Sequence, residues 1–159
     1  MIKERRVTFC FLCLLITTFL FGLPSVAFAI LGETKETVEN DRQKISGSRE
    51  SQAHGQYSIE TINASGLIVH EYVAQNGTIF AVSWTGNRFP DLNSLLGSYF
   101  NEYQKTLLDW RKNVPHRRGP LRLRSTNLSV DTGGRRPKLW GRAYVPSFLP
   151  SGVTEEEIQ

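Results

Sequence analysis

The chain has 159 residues, with 19 Lys or Arg against 15 Asp or Glu and a formal net charge of +4. This length suits one ordinary domain with a sizeable core. Both cysteines, Cys10 and Cys13, lie in an N-terminal segment that we expect to be removed, so the remaining chain excludes a disulfide framework, thiol catalysis and a cysteine metal site.

The first 29 residues have the three-part pattern of a secretory signal peptide. A basic start is followed by an apolar run over residues 7–23, and Ala27 and Ala29 form an Ala-x-Ala cleavage site. The alternative is a transmembrane anchor, because the apolar run sits at the lower length limit for a span. We expect cleavage after Ala29, no transmembrane segment afterwards, and a periplasmic or secreted protein.

Residues 30–56 are polar, and we predict a weak helix or a flexible linker for this N-terminal segment. Val38 and Ile45 are seven residues apart and would give such a helix one narrow apolar stripe. Residues 46–56 have the composition of a linker. A single domain is expected over residues 57–153, followed by an acidic tail at 154–159.

The domain begins with three predicted strands. Residues 57–62, 67–74 and 78–84 show alternation or β-branched and aromatic residues. Asn76-Gly77 between the last two is a strong hairpin signal, because it tolerates the positive φ angles of a type I′ turn.

The pattern then changes to that of a helix, for which Asp91 is a predicted N-cap. Gly97 within it indicates close packing or a break. Apolar residues recur every three or four positions and predict one buried helix face, made of Leu92, Leu95, Leu96, Tyr99, Tyr103 and Leu107.

Three more short strands are predicted at residues 121–124, 128–130 and 139–145, with Gly133-Gly134 as the turn between the last two. Strands in runs with one long helix between them favour an α+β fold. We predict a small antiparallel sheet of about five to six strands with one main helix packed on it.

Several segments of the chain share a pattern with known proteins. They are residues 69–73, 76–77, 80–84 followed by Gly86, 90–92, 95–97, 99–100, 141–146, 149–150 and 152–153. Together they resemble a family of bacterial exported proteins grouped as domain of unknown function 2844. The resemblance covers roughly residues 56–153. It implies a bacterial source and an exported location, and it supplies no catalytic or binding residues.

Asp131-Thr132-Gly133 matches the active-site triplet of aspartic proteases, in which two carboxylates share a proton. Only residues 134–138 separate it from an apolar-apolar-Gly segment, which leaves no room for an intervening lobe. A single triplet would also require a dimer. We therefore predict Asp131 to be a turn residue before the glycine pair.

His70-Glu71 suggests acid–base chemistry, but neighbours on a strand point to opposite faces. We interpret His70 as a half-exposed strand histidine. No spacing suits a zinc site, and we expect no catalytic residue, metal or cofactor.

The strongest functional candidate is the basic region from Arg111 to Arg142, whose two groups of basic residues are flanked by Trp110 and Trp140. It holds ten Lys or Arg against one acid. Arginine forks bind phosphate and carboxylate, whereas the alternative is a solvated face that keeps the domain soluble. We expect the aromatic residues of the strands and helix to be core. The possible anion-binding residues are Arg111, Lys112, Arg117, Arg118, Arg122, Arg124, Arg135, Arg136, Lys138 and Arg142.

The sequence thus predicts an exported, non-enzymatic domain that binds or supports another envelope or extracellular component. The second hypothesis is an anion-binding module that uses the basic region, with phosphorylated lipid or acidic glycan as the expected partner and nucleic acid as an unlikely one. A hydrolase is the third hypothesis, and no motif supports it.

Overall fold

A computed structural model describes residues 30–34, 49–113 and 119–159. The predicted signal peptide, the stripe of Val38 and Ile45, and two candidate anion-binding residues, Arg117 and Arg118, lie outside these ranges. Within them, no helix has both the length and the apolar character needed to cross a membrane.

Within the described ranges, seven antiparallel strands form one sheet in the order β1-β2-β3-β4-β7-β6-β5. With the helix described below they give the predicted α+β fold, although the predicted count of five to six strands is too low. The strands are β1 (Arg49–His54), β2 (Tyr57–Ala64), β3 (Leu67–Ala74), β4 (Ile79–Gly86), β5 (Leu121–Arg124), β6 (Ser129–Arg135) and β7 (Lys138–Tyr144).

Strand β1 accounts for the extra strand, and the predicted linker is wrong for residues 49–54. Along its length β1 pairs with β2, from Arg49 opposite Ile62 to His54 opposite Tyr57. It is an edge strand whose residues 50–54 are exposed. A strand that buries neither face needs no apolar alternation, so its sequence lacks the signal that predicts the other strands.

The β6–β7 hairpin also differs from the prediction. Gly133 and Gly134 lie inside β6, opposite Trp140 and Leu139, and the chain turns at Arg136-Pro137 instead. Gly134 has a φ of 90°, and a Cβ there would meet the carbonyl oxygen of Lys138. The glycine pair therefore allows β6 and β7 to approach closely and does not form the turn.

The predicted helix is present in two parts, α1 (Leu92–Leu96) and α2 (Phe100–Asn113), joined by a 3-10 turn at Gly97–Tyr99. Asp91 caps α1 as predicted, with its Oδ1 accepting from the Asn93 amide at 3.1 Å. Gly97 marks both the break and a close approach, because its φ is 50° and a Cβ there would collide with Ile30.

The helices cover one face of the sheet, which we call the helix face. Leu95 and Leu96 are fully buried there, whereas Leu108 on the other side of α2 is 56% exposed. The other members of the predicted stripe, Leu92, Tyr99, Tyr103 and Leu107, are partly buried and pack against the core on this face, so the stripe faces the sheet as predicted but is fully buried only in α1. The buried core on this face comprises Leu31, Leu67, Val69, Val73, Ile79, Val82, Trp84, Leu95, Leu96, Leu123, Leu128, Val130, Ala143 and Val145.

The opposite, outer face is covered in part by the C-terminal segment, residues 146–159, which contains 3-10 turns at Pro146–Phe148 and Glu155–Glu157. Ile158 is 1% exposed and belongs to a second apolar cluster with Tyr57, Tyr72 and Phe80. The acidic end of the chain thus carries a buried anchor, and it leaves the sheet uncovered around Trp140, which is 38% exposed.

Candidate functional site on the outer face of the sheet

The strand register collects most of the candidate basic residues on the outer face. Arg122, Asp131 and Arg142 lie in one row across β5, β6 and β7. Two residues further along these strands, Trp140 lies opposite Gly133. Two residues further again, Arg135 lies opposite Lys138. Because side chains alternate between faces, these three rows share one face.

Asp131 is an internal anchor for two of the candidate cations. The Arg124 guanidinium donates to both carboxylate oxygens, with Nη1–Oδ1 at 2.6 Å and Nη2–Oδ2 at 3.1 Å. Arg142 Nε donates to Oδ2 at 3.0 Å. The Asp131 side chain is only 4% exposed. Asp131 is therefore an ion-paired residue in the middle of β6, and its prediction as a turn residue is wrong.

The two arginines also hold the carboxylate in its charged form. Burial raises the pKa of Asp131, but the hydrogen bonds and positive charges of Arg124 and Arg142 outweigh burial and lower this pKa below its ordinary value. A charged carboxylate with both oxygens bonded to guanidinium groups differs from the proton-sharing pair of an aspartic protease. Asp131 therefore has a structural role as the partner of two arginines, and its geometry does not support the protease hypothesis.

Arg142 links this ion pair to the C-terminal segment. Its Nη1 donates to the carbonyl oxygens of Glu155 and Ile158, the latter at 3.3 Å. The Tyr144 hydroxyl donates to the Glu155 carboxylate. The Asp131 cluster, which we define as Arg124, Asp131, Arg142 and Glu155, thus fastens the segment to the sheet.

The remaining candidates divide into two groups. Arg122, Arg135, Arg136 and Lys138 are exposed, and none makes an ion pair within the part of the chain that the structure describes. We call these four residues the outer cations. Arg111 and Lys112 are also exposed, but they lie on α2, at the helix face, where Lys112 pairs with the exposed Asp109 at 3.4 Å.

Trp140 lies between two grooves among the outer cations. One groove of about 360 Å³ is lined by Trp140, Arg122 and Arg142. The other, of about 590 Å³, is lined by Trp140, Lys138 and Ile68. The expectation that the strand aromatics are core is correct for Trp84, which is fully buried, and wrong for Trp140.

Gly133 gives the Trp140 indole its place on the sheet. A Cβ at Gly133 would lie 2.7 Å from Trp140 Cζ2 and 2.9 Å from Cε2. The indole therefore occupies the space above Gly133 on the neighbouring strand. This contact holds an exposed aromatic ring on a strand. Side chains on strands are positioned more precisely than side chains on loops, so the ring is well placed to bind a ligand.

The chain can be assigned to a family by comparison with known family models. The family model described as "Protein of unknown function (DUF2844)" matches residues 27–158. The chain belongs to this family. The predicted resemblance is confirmed, and the match extends beyond residues 56–153 at both ends. No curated protein and no solved structure matches the chain.

Family membership supplies no site residues, and outside the Asp131 cluster two neighbouring titratable residues, His70 and Glu71, lie on β3. His70 lies on β3 and is partly buried, with its Nδ1 3.0 Å from Thr61 Oγ1. Burial lowers the pKa of His70. Glu71 is fully buried in the row of Val82 and Ala143, on the helix face. The prediction that His70 and Glu71 face opposite sides of the sheet is confirmed.

A pair of buried carboxylates has no signal in the residue pattern. Glu60 lies directly opposite Glu71 across β2 and β3, and the two residues are 2% and 0% exposed. Ser51 Oγ donates to Glu60 Oε1 at 3.1 Å. Residues 30–34, 49–113 and 119–159 contain no group of three or more His, Cys, Asp or Glu suited to hold a metal ion.

Proposed function

We propose that the chain is an exported, non-enzymatic domain that binds an anionic component of the envelope or extracellular medium. The observation that carries this proposal is the position of Trp140 on the outer face. It is exposed, and cationic side chains flank it on both sides along the strands. This combination of an aromatic surface and guanidinium groups suits an anionic ligand with rings.

The charge balance of the outer face supports a free positive patch. Within the Asp131 cluster, two arginines face the carboxylates of Asp131 and Glu155, so their charges cancel. The four outer cations add positive charge beside this neutral cluster, whereas the exposed Glu156 and Glu157 add negative charge to the C-terminal segment, so the positive patch is confined to the sheet around Trp140. A patch of one sign raises the local concentration of oppositely charged ligands.

Binding fits the site better than catalysis. Asp131, the carboxylate nearest to Trp140 in the strand register, accepts hydrogen bonds from two guanidinium groups through both oxygens. Since its pKa is lowered, it holds no proton to donate near neutral pH. The described part of the site offers a charged surface rather than an acid–base pair.

The export part of the proposal rests on residues 1–29. Their basic start, apolar run and Ala27-x-Ala29 ending are typical of a cleaved signal. Intact-mass measurement of protein from the envelope fraction should show a chain that begins at Ile30. A full-length product embedded in the membrane would contradict export by cleavage and identify residues 7–23 as an anchor.

Salt-dependent retention on immobilised anionic polymers tests the binding part. Polygalacturonate, polyphosphate and duplex DNA are suitable polymers. We expect the protein to be retained at low salt and to elute as salt rises, because bound counterions are released on binding. The double variant Arg122→Gln/Lys138→Gln should elute at lower salt.

A matched control has the same change of charge on the other face of the molecule. Arg111→Gln/Lys112→Gln removes two exposed positive charges from α2. If the site is on the outer face, the control should elute close to the wild type, and circular dichroism should show both variants folded. Equal shifts for the two double variants, or no retention of the wild type at low salt, would contradict the proposal.

A further inference from the structure

We infer that the anionic partner is an acidic polysaccharide, one sugar ring of which stacks on Trp140 while neighbouring carboxylates bind the cations on either side. The inference rests on the proposed function and specifies the ligand of the same site. It depends on three features of the outer face: the placement of the indole, the spacing of the charges and the limited apolar area.

The indole is placed as a platform. It lies above Gly133, where a side chain would leave no room for it, and it is 38% exposed. The face of an aromatic ring carries partial negative charge. The C–H groups on one side of a sugar ring carry partial positive charge and form a flat apolar surface. A sugar ring therefore complements an indole that is held against a sheet.

Cationic rows lie on both sides of the indole along the strands, so an extended anionic polymer that crosses Trp140 would pass a positive charge on each side. Trp140 lies two residues from Arg142, whose row contains Arg122, and two residues from Lys138, whose partner is Arg135. Two residues along a strand span roughly 7 Å, so cationic rows lie about that far from the indole in both directions. Arginine forks bind carboxylates through two parallel hydrogen bonds.

The exposed apolar area is small, which argues against a lipid bilayer as the partner. Trp140 and Ile68 are the large apolar residues exposed on this part of the described sheet, at 38% and 39%. Membrane-surface binding takes a broad apolar face that enters the acyl boundary. An indole fixed above Gly133 within a strand does not provide one.

Tryptophan substitution separates ring stacking from charge attraction. With protein purified from the envelope fraction, we would measure affinity for polygalacturonate and for polyphosphate, an anionic polymer without rings. Trp140→Ala should weaken polygalacturonate binding about tenfold, which is the order of the loss when a nucleobase loses its aromatic stacking partner and which we expect for a sugar ring as well. It should change polyphosphate binding less than about twofold.

Two further variants sharpen this test. Gly133→Ala keeps the indole but displaces it, because the new Cβ would lie 2.7 Å from Cζ2. It should weaken polygalacturonate binding and spare polyphosphate binding. Phe89→Ala removes an exposed aromatic ring elsewhere, at 47% exposure, and should change neither affinity.

The outcomes distinguish the inference from the proposed function. Loss of both affinities in Trp140→Ala, or of neither, would overturn sugar stacking, and the proposed function would survive if Arg122→Gln/Lys138→Gln still weakened retention. A dependence on Trp140 for DNA binding but not for polygalacturonate binding would identify a nucleic acid and overturn the inference. Failure of the wild type to bind any of these polymers would overturn the proposed function itself.

Discussion

The two faces of the sheet are closed by different physical means. On the helix face α1 packs through apolar side chains, since Leu95 and Leu96 are fully buried against the core cluster. The outer face combines the buried Ile158 with the ion pairs and hydrogen bonds of the Asp131 cluster. The helices thus exclude solvent from the helix face beneath them. On the outer face, the C-terminal segment covers only one part of the sheet and leaves Trp140 exposed to solvent.

The two faces of the one sheet therefore have different roles: the helix face supplies most of the stability, and the outer face carries the proposed binding site. Burial of apolar side chains is the dominant favourable term in folding. A charged, half-covered surface contributes less to the free energy of folding than a buried apolar face does, but its polar groups stay accessible to a ligand. The same strands serve both purposes, because successive residues point to opposite faces.

The largest effect should come from the helix face. Leu95→Ala or Leu96→Ala should each lower the free energy of unfolding by about 2–5 kcal/mol, because each side chain is fully buried and its removal leaves a cavity. Leu108→Ala is the matched control on the exposed side of α2 and should stay within about 0.5 kcal/mol. Denaturant midpoints that are equal in all three variants would show that the helix does not close this face.

A smaller effect should come from the outer face. Asp131→Asn should lower the free energy of unfolding by about 1.5–3 kcal/mol near neutral pH, because hydrogen bonds to charged groups are weakened around a nearly buried side chain. Asp109→Asn is the control, since Asp109 pairs with Lys112 at an exposed site and such pairs contribute less than about 1 kcal/mol.

The stability lost in Asp131→Asn should become smaller as the pH falls. The pKa of Asp131 is lowered in the folded protein from a model-peptide value of 3.8. Its stabilising contribution is therefore present above that value and is lost as the pH falls through the lower, folded pKa. The stability difference between wild type and Asp131→Asn should be constant from about pH 5 to 7 and should shrink below pH 4. A difference that grows on acidification would contradict the ion-pair geometry.

The sequence predicts those elements whose signals are local. The apolar spacing from Leu92 to Leu107 predicts the buried helix face, and Asn76-Gly77 predicts the β3–β4 hairpin. Strand β1 escapes prediction because an exposed edge strand needs no apolar alternation. The β6–β7 turn is misplaced because Gly133 makes room for Trp140, which is a contact between strands and has no signature in the local sequence.

The residue types of the candidate site could be predicted from the sequence, but their arrangement on the sheet could not. The basic residues are visible in the sequence, and Arg122 and Lys138 are exposed as the hypothesis requires. The ion pairs of Asp131 join β5, β6 and β7, so they depend on a strand order that residue patterns do not specify. For the same reason the buried pair of Glu60 and Glu71 was missed, because charged residues on a strand normally indicate the solvent side.

The strand order also determines how the chain has to assemble. Among the described strands, every pairing but one joins neighbours in sequence, and the exception is β4 with β7, which closes the long segment that carries α1 and α2. Closing that segment costs chain entropy before the β4–β7 hydrogen bonds form, whereas the hairpins on either side close over short turns. The described sheet thus consists of two meanders of local pairings, β1–β4 and β5–β7, which join along β4 and β7, and the bridge between Thr34 and Thr78 adds a further long-range contact.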